Sequence, residues 1–185
     1  HNCLVGSEMC IRDRAYTIPL SSIIGLQVGG VWSFTTVLYA FGLIPLWEAF
    51  LEPDQSKLSE EKIKNRLSNR FFDLMLYFNL IIVFAILIFG INHLTTQTLA
   101  TYEKVGLVLS FGIVLGTNGI NVAHELGHRK TKWERFLAKV LLMPAFYMHF
   151  YIEHNFGHHL NVGTPSDPAT SVSYTHLRAH ETVVH

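Results

Sequence analysis

Five histidines that lie close together in the sequence carry its clearest chemistry. His124 and His128 are four residues apart, His154 and His158 repeat that spacing, and His159 follows directly. On a helix, residues at this spacing share one face with about 5–6 Å between Cβ atoms, which one metal ion can bridge. Imidazole is a common ligand of iron and zinc. The two groups therefore predict a metal site.

The number of these rings favours more than one ion. All five fall within residues 124–159 of a chain that is 49% hydrophobic. Withdrawing so many titratable rings from water is costly unless they are paired, and metal bonds would satisfy them. Five ligands exceed the three protein ligands typical of a catalytic zinc. The surplus fits a pair of irons, a non-haem di-iron centre, in which the ligands are the only catalytic residues we predict.

Other polar residues lie beside this pattern. Glu125 and Glu153 each neighbour a predicted ligand and could orient an imidazole by hydrogen bonding; the alternative is a solvated carboxylate. His93 and His149 fall outside the two groups, and we predict a capped or interfacial histidine at both positions.

Two rival functions use the same residues. The stretch HELGH at 124–128 satisfies H-E-x-x-H, in which two histidines bind zinc and the glutamate activates water in a metalloprotease. Glu153 could complete such a site, although zinc hydrolysis does not require the three histidines of the second group. A non-enzymatic metal-storage or sensor protein would bind iron without oxygen-dependent turnover.

The composition indicates a membrane protein. Only 15% of the residues are charged, well below the usual quarter, and residues 15–47, 74–102 and 105–123 contain no Asp, Glu, Lys or Arg. Each run is long enough to cross a bilayer, which takes about 20 residues. The first could be one tilted helix or a helix and a bent segment, and we count it as one crossing. Residues 137–151, interrupted by Pro144, predict an interfacial or re-entrant segment.

The fold class we predict is therefore all-α, a polytopic membrane helical bundle of three to four membrane helices plus the interfacial or re-entrant segment. Residues 129–139 and the connection 52–73 hold five basic residues each, which puts both on the cytoplasmic side of the membrane. The metal site would then lie at that face. A net charge of zero argues against a nucleic-acid partner and leaves the lipid bilayer. Cys3 and Cys10 provide no thiolate site in the apolar body.

Three segments resemble a known family. NVAHELGHRK, HFYIEHNFGHH and TPSDPATS, in this order, resemble the first two histidine boxes and the following loop of bacterial membrane alkane monooxygenases, in the fatty-acid desaturase and hydroxylase superfamily. FGLIPLWEAF is similar to an upstream membrane segment of that family. Phe156 departs from the pattern, because a basic or polar residue is expected there. The resemblance implies that the ligands of a di-iron centre are His124, His128, His154, His158 and His159.

The same resemblance implies an activity. It is O₂-dependent hydroxylation of the terminal carbon of medium-chain n-alkanes to primary alcohols, with electrons from NAD(P)H delivered by rubredoxin reductase and rubredoxin. A membrane fatty-acid desaturase or lipid hydroxylase stays open as an alternative. The family also needs a third histidine cluster, which we expect beyond the end of this chain, so the fragment should be inactive alone.

The two ends fit neither the apolar body nor a targeting signal. Residues 1–14 and 172–185 resemble translated sequencing-adapter read-through, so we expect a foreign leader, a native membrane hydroxylase segment at 15–171 and a foreign tail. His176 and His180 repeat the ligand spacing within that tail, where a disordered polar segment is expected.

Overall fold

The computed structural model describes residues 16–50, 70–161 and 164, and within them the chain is helical and contains no strand. The predicted all-α class is confirmed. The α-helices are α1 (Thr17–Val28), α2 (Thr35–Leu38), α3 (Ile44–Phe50), α4 (Arg70–Thr96), α5 (Thr101–Val114), α6 (Asn121–Gly127), α7 (Lys132–Leu142), α8 (Phe150–Ile152) and α9 (His159–Asn161).

Tighter and wider turns connect several of these helices. The 3₁₀ turns are Gly30–Phe34 and Met143–Ala145, and the π-helical turns are Tyr39–Leu43, Leu115–Ile120 and Glu153–His158. The predicted foreign ends, most of the 52–73 connection and nearly all of TPSDPATS lie outside the described residues.

Three helical stretches are long and apolar enough to cross a membrane: Gly30–Trp47, Asp73–Thr96 and Thr101–Gly127. The third extends four residues past each end of the charge-free run that predicted it, whereas the second lies within its run apart from Asp73. α1 has 12 residues and is too short to cross. The chain breaks between α1 and the first crossing at Gly29 and Gly30, whose φ angles of 66° and 59° favour glycine. The first apolar run is therefore a short helix followed by one crossing.

The described part of the chain forms two compact units, which divide between Val122 and Ala123. In the first unit, small residues let helices pack closely. A Cβ on Gly106 would lie 2.5 Å from Ser33 Oγ, so no larger residue fits there without a shift. Ser110 Oγ donates to the Ser33 carbonyl at 2.9 Å, and both serines are buried. Small and hydroxyl residues at helix contacts are typical of membrane bundles.

Glu103 ties the glycine break to the start of α5. Its carboxylate accepts hydrogen bonds from the Gly30 N–H at 2.6 Å and from the Ala100 N–H at 2.7 Å. The second bond satisfies one of the N–H groups that a helix leaves unpaired at its start. One side chain therefore stabilises both a helix terminus and a chain reversal 73 residues away.

Two asparagines form a buried pair in the same unit. Asn79 Nδ2 donates to the Asn118 carbonyl at 2.6 Å, and Asn118 Nδ2 donates back to Asn79 Oδ1 at 2.8 Å. Asn79 lies on α4 and Asn118 in the π turn before α6, and both are buried. The pair satisfies polar groups that would be costly if left unbonded among apolar side chains.

The second unit contains α7 and a short irregular segment after it. Thr131 precedes α7 and its hydroxyl donates to the Glu134 carboxylate, which is buried. Ala138, Leu141 and Leu142 form the buried face of the helix. At Pro144 the chain turns into a 3₁₀ segment, so residues 137–151 form no crossing, in line with the interfacial or re-entrant prediction.

The Asn79–Asn118 pair gives a prediction about stability. Asn79→Leu deprives the Asn118 amide of an acceptor inside the protein and should destabilise it by about 1–3 kcal/mol. The double variant Asn79→Leu/Asn118→Leu removes both polar groups and should be less destabilised than the single one. Thermal unfolding in detergent micelles measures both, and equal or reversed losses would show that the pair is not mutually satisfied.

Candidate metal centre

Four of the five predicted ligand histidines come together within the second unit. They are His124 on α6, His128 just after it, His154 in the π turn and His159 at the start of α9. One ring nitrogen from each lies within 4.8 Å of the others. We call this group the histidine cluster.

The shortest distances within the histidine cluster lie at or just below the nitrogen spacing of a coordination shell. The Nε2 atoms of His124 and His154 are 2.6 Å apart, those of His128 and His124 are 2.9 Å apart, and those of His159 and His154 are 3.0 Å apart. Nitrogens that share an ion at about 2.1 Å lie about 3.0–3.4 Å from one another. The four nitrogens thus converge, and a separation greater by a few tenths of an ångström would let them share one cation.

Hydrogen bonding alone cannot account for these contacts. A neutral imidazole nitrogen carries either a proton or a lone pair. Four such nitrogens form at most two N–H···N bonds, because each bond uses one proton and one lone pair. The histidine cluster has three contacts of 3.0 Å or less. A shared cation accepts all four lone pairs at once, so the donor set fits a metal.

His154 is neutral at physiological pH. Partial burial lowers the pKa of this imidazole to about 4, and the nearby rings of His124 and His159 add to the shift. A neutral ring is the form that binds a metal. His154 can thus offer its lone pair at pH 7 without first losing a proton.

The fifth predicted ligand, His158, lies next to the histidine cluster but is not one of its four members. Its ring centroid is 5.6 Å from that of His154 and 5.4 Å from that of His159. The sequence spacing paired His154 with His158, whereas the structure brings His159 to His154. The π turn explains the difference, because its backbone bonds run from residue i+5 to residue i and move the later ring around the axis.

An aromatic stack supports His154. The Phe150 ring lies parallel to the His154 imidazole at a centroid distance of 4.9 Å and an angle of 18°. Tyr147 stacks on Phe150 in turn, at 5.2 Å and 20°. The sequence argument missed this support, although Phe150 lies four residues before His154, a spacing that places two helical side chains side by side.

Gly127 lets the two histidine segments approach. A Cβ at this position would lie 3.4 Å from the Tyr151 ring and 3.6 Å from Asn155 Nδ2. These are ordinary contact distances for one methyl group, and they leave no space for a longer side chain. Gly127, which lies between His124 and His128, thus packs against the segment that carries His154.

The remaining polar residues have other surroundings. The Glu125 carboxylate lies 3.3 Å from the Arg129 guanidinium, one helical turn on. Glu153 is exposed at the start of the π turn. His149 packs edge-on against Tyr147 at 4.7 Å, and His93 lies in the last turn of α4; neither is part of the histidine cluster. Orientation of an imidazole by either glutamate stays a prediction.

Comparison with known proteins narrows the class. The fatty acid desaturase family matches residues 103–184. Alkane 1-monooxygenase 1 of Alcanivorax borkumensis is 39% identical over 158 residues, which cover 83% of this chain and 39% of that protein. The alkane 1-monooxygenases of Pseudomonas putida and Ectopseudomonas oleovorans are each 35% identical, with the same coverage. The chain is homologous to alkane 1-monooxygenases.

This homology confirms the resemblance on which the site prediction rests. It also agrees with the three apolar helices, and the chain is a multi-pass membrane protein. Together with the histidine cluster, the family match indicates a metal centre and does not favour the zinc-peptidase alternative. The chain spans about two fifths of the length of these relatives.

The stack on His154 gives a second prediction. Phe150→Ala removes the ring that fixes the imidazole, and residues that orient metal ligands typically contribute tenfold or more to affinity, so iron affinity should fall about tenfold. Phe156→Ala is the matched control, because that ring is exposed and contacts Tyr151 instead. Competition against a calibrated chelator measures the iron affinity of both variants. Equal affinities would show that Phe150 does not position His154.

Proposed function

We propose that the complete protein hydroxylates the terminal carbon of medium-chain n-alkanes to primary alcohols, using O₂ at a histidine-ligated di-iron centre. The observation that carries the proposal is the convergence of four imidazole nitrogens in a membrane chain homologous to alkane 1-monooxygenases. Because the chain spans about two fifths of those relatives, the activity is assigned to the whole protein.

In this proposal the ligands are the five predicted histidines, His124, His128, His154, His158 and His159. His124, His128, His154 and His159 supply converging nitrogens, and His158 lies close enough to serve a second ion after a small movement. The residues that complete the site would come from the rest of the protein. Two irons are supported by the donor count, since one ion in the histidine cluster would leave His158 without a metal.

When bound, the irons would supply O₂ activation and electron transfer, which no side chain here can perform. The protein's own residues have simpler tasks. α6 and the π turn hold the imidazoles, and Phe150 stacks on His154. An apolar crossing that carries His124 in its last turn also suits a substrate that dissolves in the membrane.

The overall reaction requires two electrons and two protons from outside. One oxygen atom enters the C–H bond to give the alcohol, and the other leaves as water. We assign the electron supply to rubredoxin, reduced by an NAD(P)H-dependent rubredoxin reductase. The basic residues after α6 support a cytoplasmic location of the metal site at a bacterial inner membrane, where such soluble carriers are present.

A second function is supported by the family match alone. The fatty acid desaturase family matches residues 103–184. Desaturation or hydroxylation of a lipid acyl chain would use the same histidine ligands. Incubating the purified complete protein with octane and with fatty acyl substrates separates the two. Octanol as the main product supports the proposal, and an unsaturated or hydroxylated acyl chain contradicts it.

The ligand assignment predicts the behaviour of single histidine variants. In the complete protein, His124→Ala and His154→Ala should lose iron and octanol formation together, because each removes a nitrogen at the centre of the histidine cluster. His158→Ala should lower the iron content by one ion, the second iron that His158 would bind. His93→Ala is the control and should retain iron and turnover, since this ring lies in the last turn of α4, outside the histidine cluster. Normal turnover of the His154 variant would contradict the assignment.

The nature of the metal gives another prediction. Elemental analysis of the complete protein should give about two irons per chain, in keeping with a histidine donor set larger than a single zinc requires. Removing the iron with a chelator should abolish octanol formation, and Fe²⁺ should restore it. Zinc as the bound metal, or restoration by Zn²⁺, would instead favour the peptidase alternative.

A further inference from the structure

The outward face of α7 is apolar, which is unusual for a helix at a protein surface. Trp133, Phe136 and Met143 have exposed fractions of 50%, 63% and 49%. They recur at intervals of three and seven residues and so form one stripe, which we call the outer apolar face. The opposite side of α7 is already buried through Ala138, Leu141 and Leu142. A surface helix of a soluble protein would carry polar residues on its outer side.

Basic residues border the outer apolar face along one edge. Lys132, Arg135 and Lys139 are spaced by three and four residues, which aligns them on the helix. The sole acidic residue of α7, Glu134, is buried on the other side and accepts a hydrogen bond from Thr131. The exposed part of the helix therefore presents cations and apolar groups without a carboxylate.

The turn after α7 extends the apolar surface. Phe146 has an exposed fraction of 92% and a φ of 52°, a left-handed conformation that is uncommon for a bulky residue. The backbone fixes this conformation through the Phe146 N–H to the Met143 carbonyl at 2.9 Å and the Tyr147 N–H to the Leu142 carbonyl at 3.2 Å. A strained residue thus directs an aromatic ring outward beside the outer apolar face.

Chain connectivity keeps α7 near the bilayer. The third crossing ends at Gly127 and α7 begins at Lys132, so at most about 17 Å of extended chain separates them. A helix that starts this close to the end of a crossing is within reach of the lipid headgroups. There, tryptophan and phenylalanine enter the acyl boundary while lysine and arginine reach the phosphates.

From the apolar stripe, its cationic edge and this tether we infer that α7 lies in the membrane–water interface and binds anionic phospholipid headgroups through Lys132 and Arg135, while Lys139 Nζ lies 4.8 Å from the centre of the Tyr151 ring. The outer apolar face and Phe146 would then be embedded at the acyl boundary. The inference is independent of the reaction at the metal. Its consequence is that lipid holds the segment that joins the two histidine groups.

A label on the outer apolar face tests this in the complete protein. Phe136→Cys, with other cysteines replaced by serine, is labelled with an environment-sensitive fluorophore and reconstituted into nanodiscs of phosphatidylcholine with or without phosphatidylglycerol. Quenching by doxyl-labelled lipid reports the acyl boundary, and quenching by iodide reports water. Phe41→Cys is the matched control, because this exposed residue lies within the first crossing.

We expect the label at 136 to be quenched by doxyl lipid and protected from iodide, more so with phosphatidylglycerol. Replacing Lys132 and Arg135 by glutamine should raise iodide quenching about fivefold in anionic nanodiscs, given the attraction of each basic residue to an anionic surface. The label at 41 should be lipid-quenched in both compositions. Lys104→Gln, which removes a charge elsewhere, should leave the label at 136 unaffected, and iron content checks that each variant is folded.

Three results would overturn the inference. Iodide quenching in both lipid compositions would mean that the face is in water. Protection from both quenchers would mean that protein covers it, either another part of the complete chain or an acidic electron carrier. Equal doxyl quenching with and without phosphatidylglycerol would remove the assigned role of the basic edge.

Discussion

Four imidazole nitrogens occupy a space too small for them to satisfy one another, and the rest of the second unit is arranged around this constraint. Three Nε2 contacts of 2.6–3.0 Å exceed what proton sharing among four rings allows. A cation resolves the conflict, since it accepts every lone pair. Phe150 stacks on His154, and a Cβ on Gly127 would touch the Tyr151 ring, so the two histidine segments pack closely.

The path of the backbone determines which rings meet. A π turn immediately precedes α6, and another contains His154 and His158. Each such turn adds a residue to a helical circuit, which rotates the side chains that follow. π turns are frequent at functional sites. Here the π turn Glu153–His158 brings His159, rather than His158, close to His154. The buried Asn79 side chain holds the π turn before α6, because its amide donates a hydrogen bond to the Asn118 carbonyl.

The sequence could predict features that depend on local spacing. Charge-free runs indicated the three crossings, and the i, i+4 pairs located both histidine segments. The π turns have no comparable signal. Gly116, Gly119 and Gly157 are weak helix formers and mark irregular stretches, but they do not specify a π turn. The Asn79–Asn118 pair joins residues 39 positions apart, and the contact between Glu103 and Gly30 spans 73, so both depend on tertiary packing. The break at Gly29 and Gly30 was predictable only in part. Two adjacent glycines indicated that the first apolar run could bend, and their positive φ angles in the structure show that it bends there.

The most direct measurement of the central claim is X-ray absorption at the iron edge of the purified complete protein. The account predicts a first shell dominated by imidazole nitrogen at about 2.0–2.2 Å, with the outer-shell scattering of histidine rings. His154→Ala should reduce that scattering. A shell of oxygen or sulfur donors, or imidazole scattering that is unchanged in His154→Ala, would contradict the histidine cluster as the metal site.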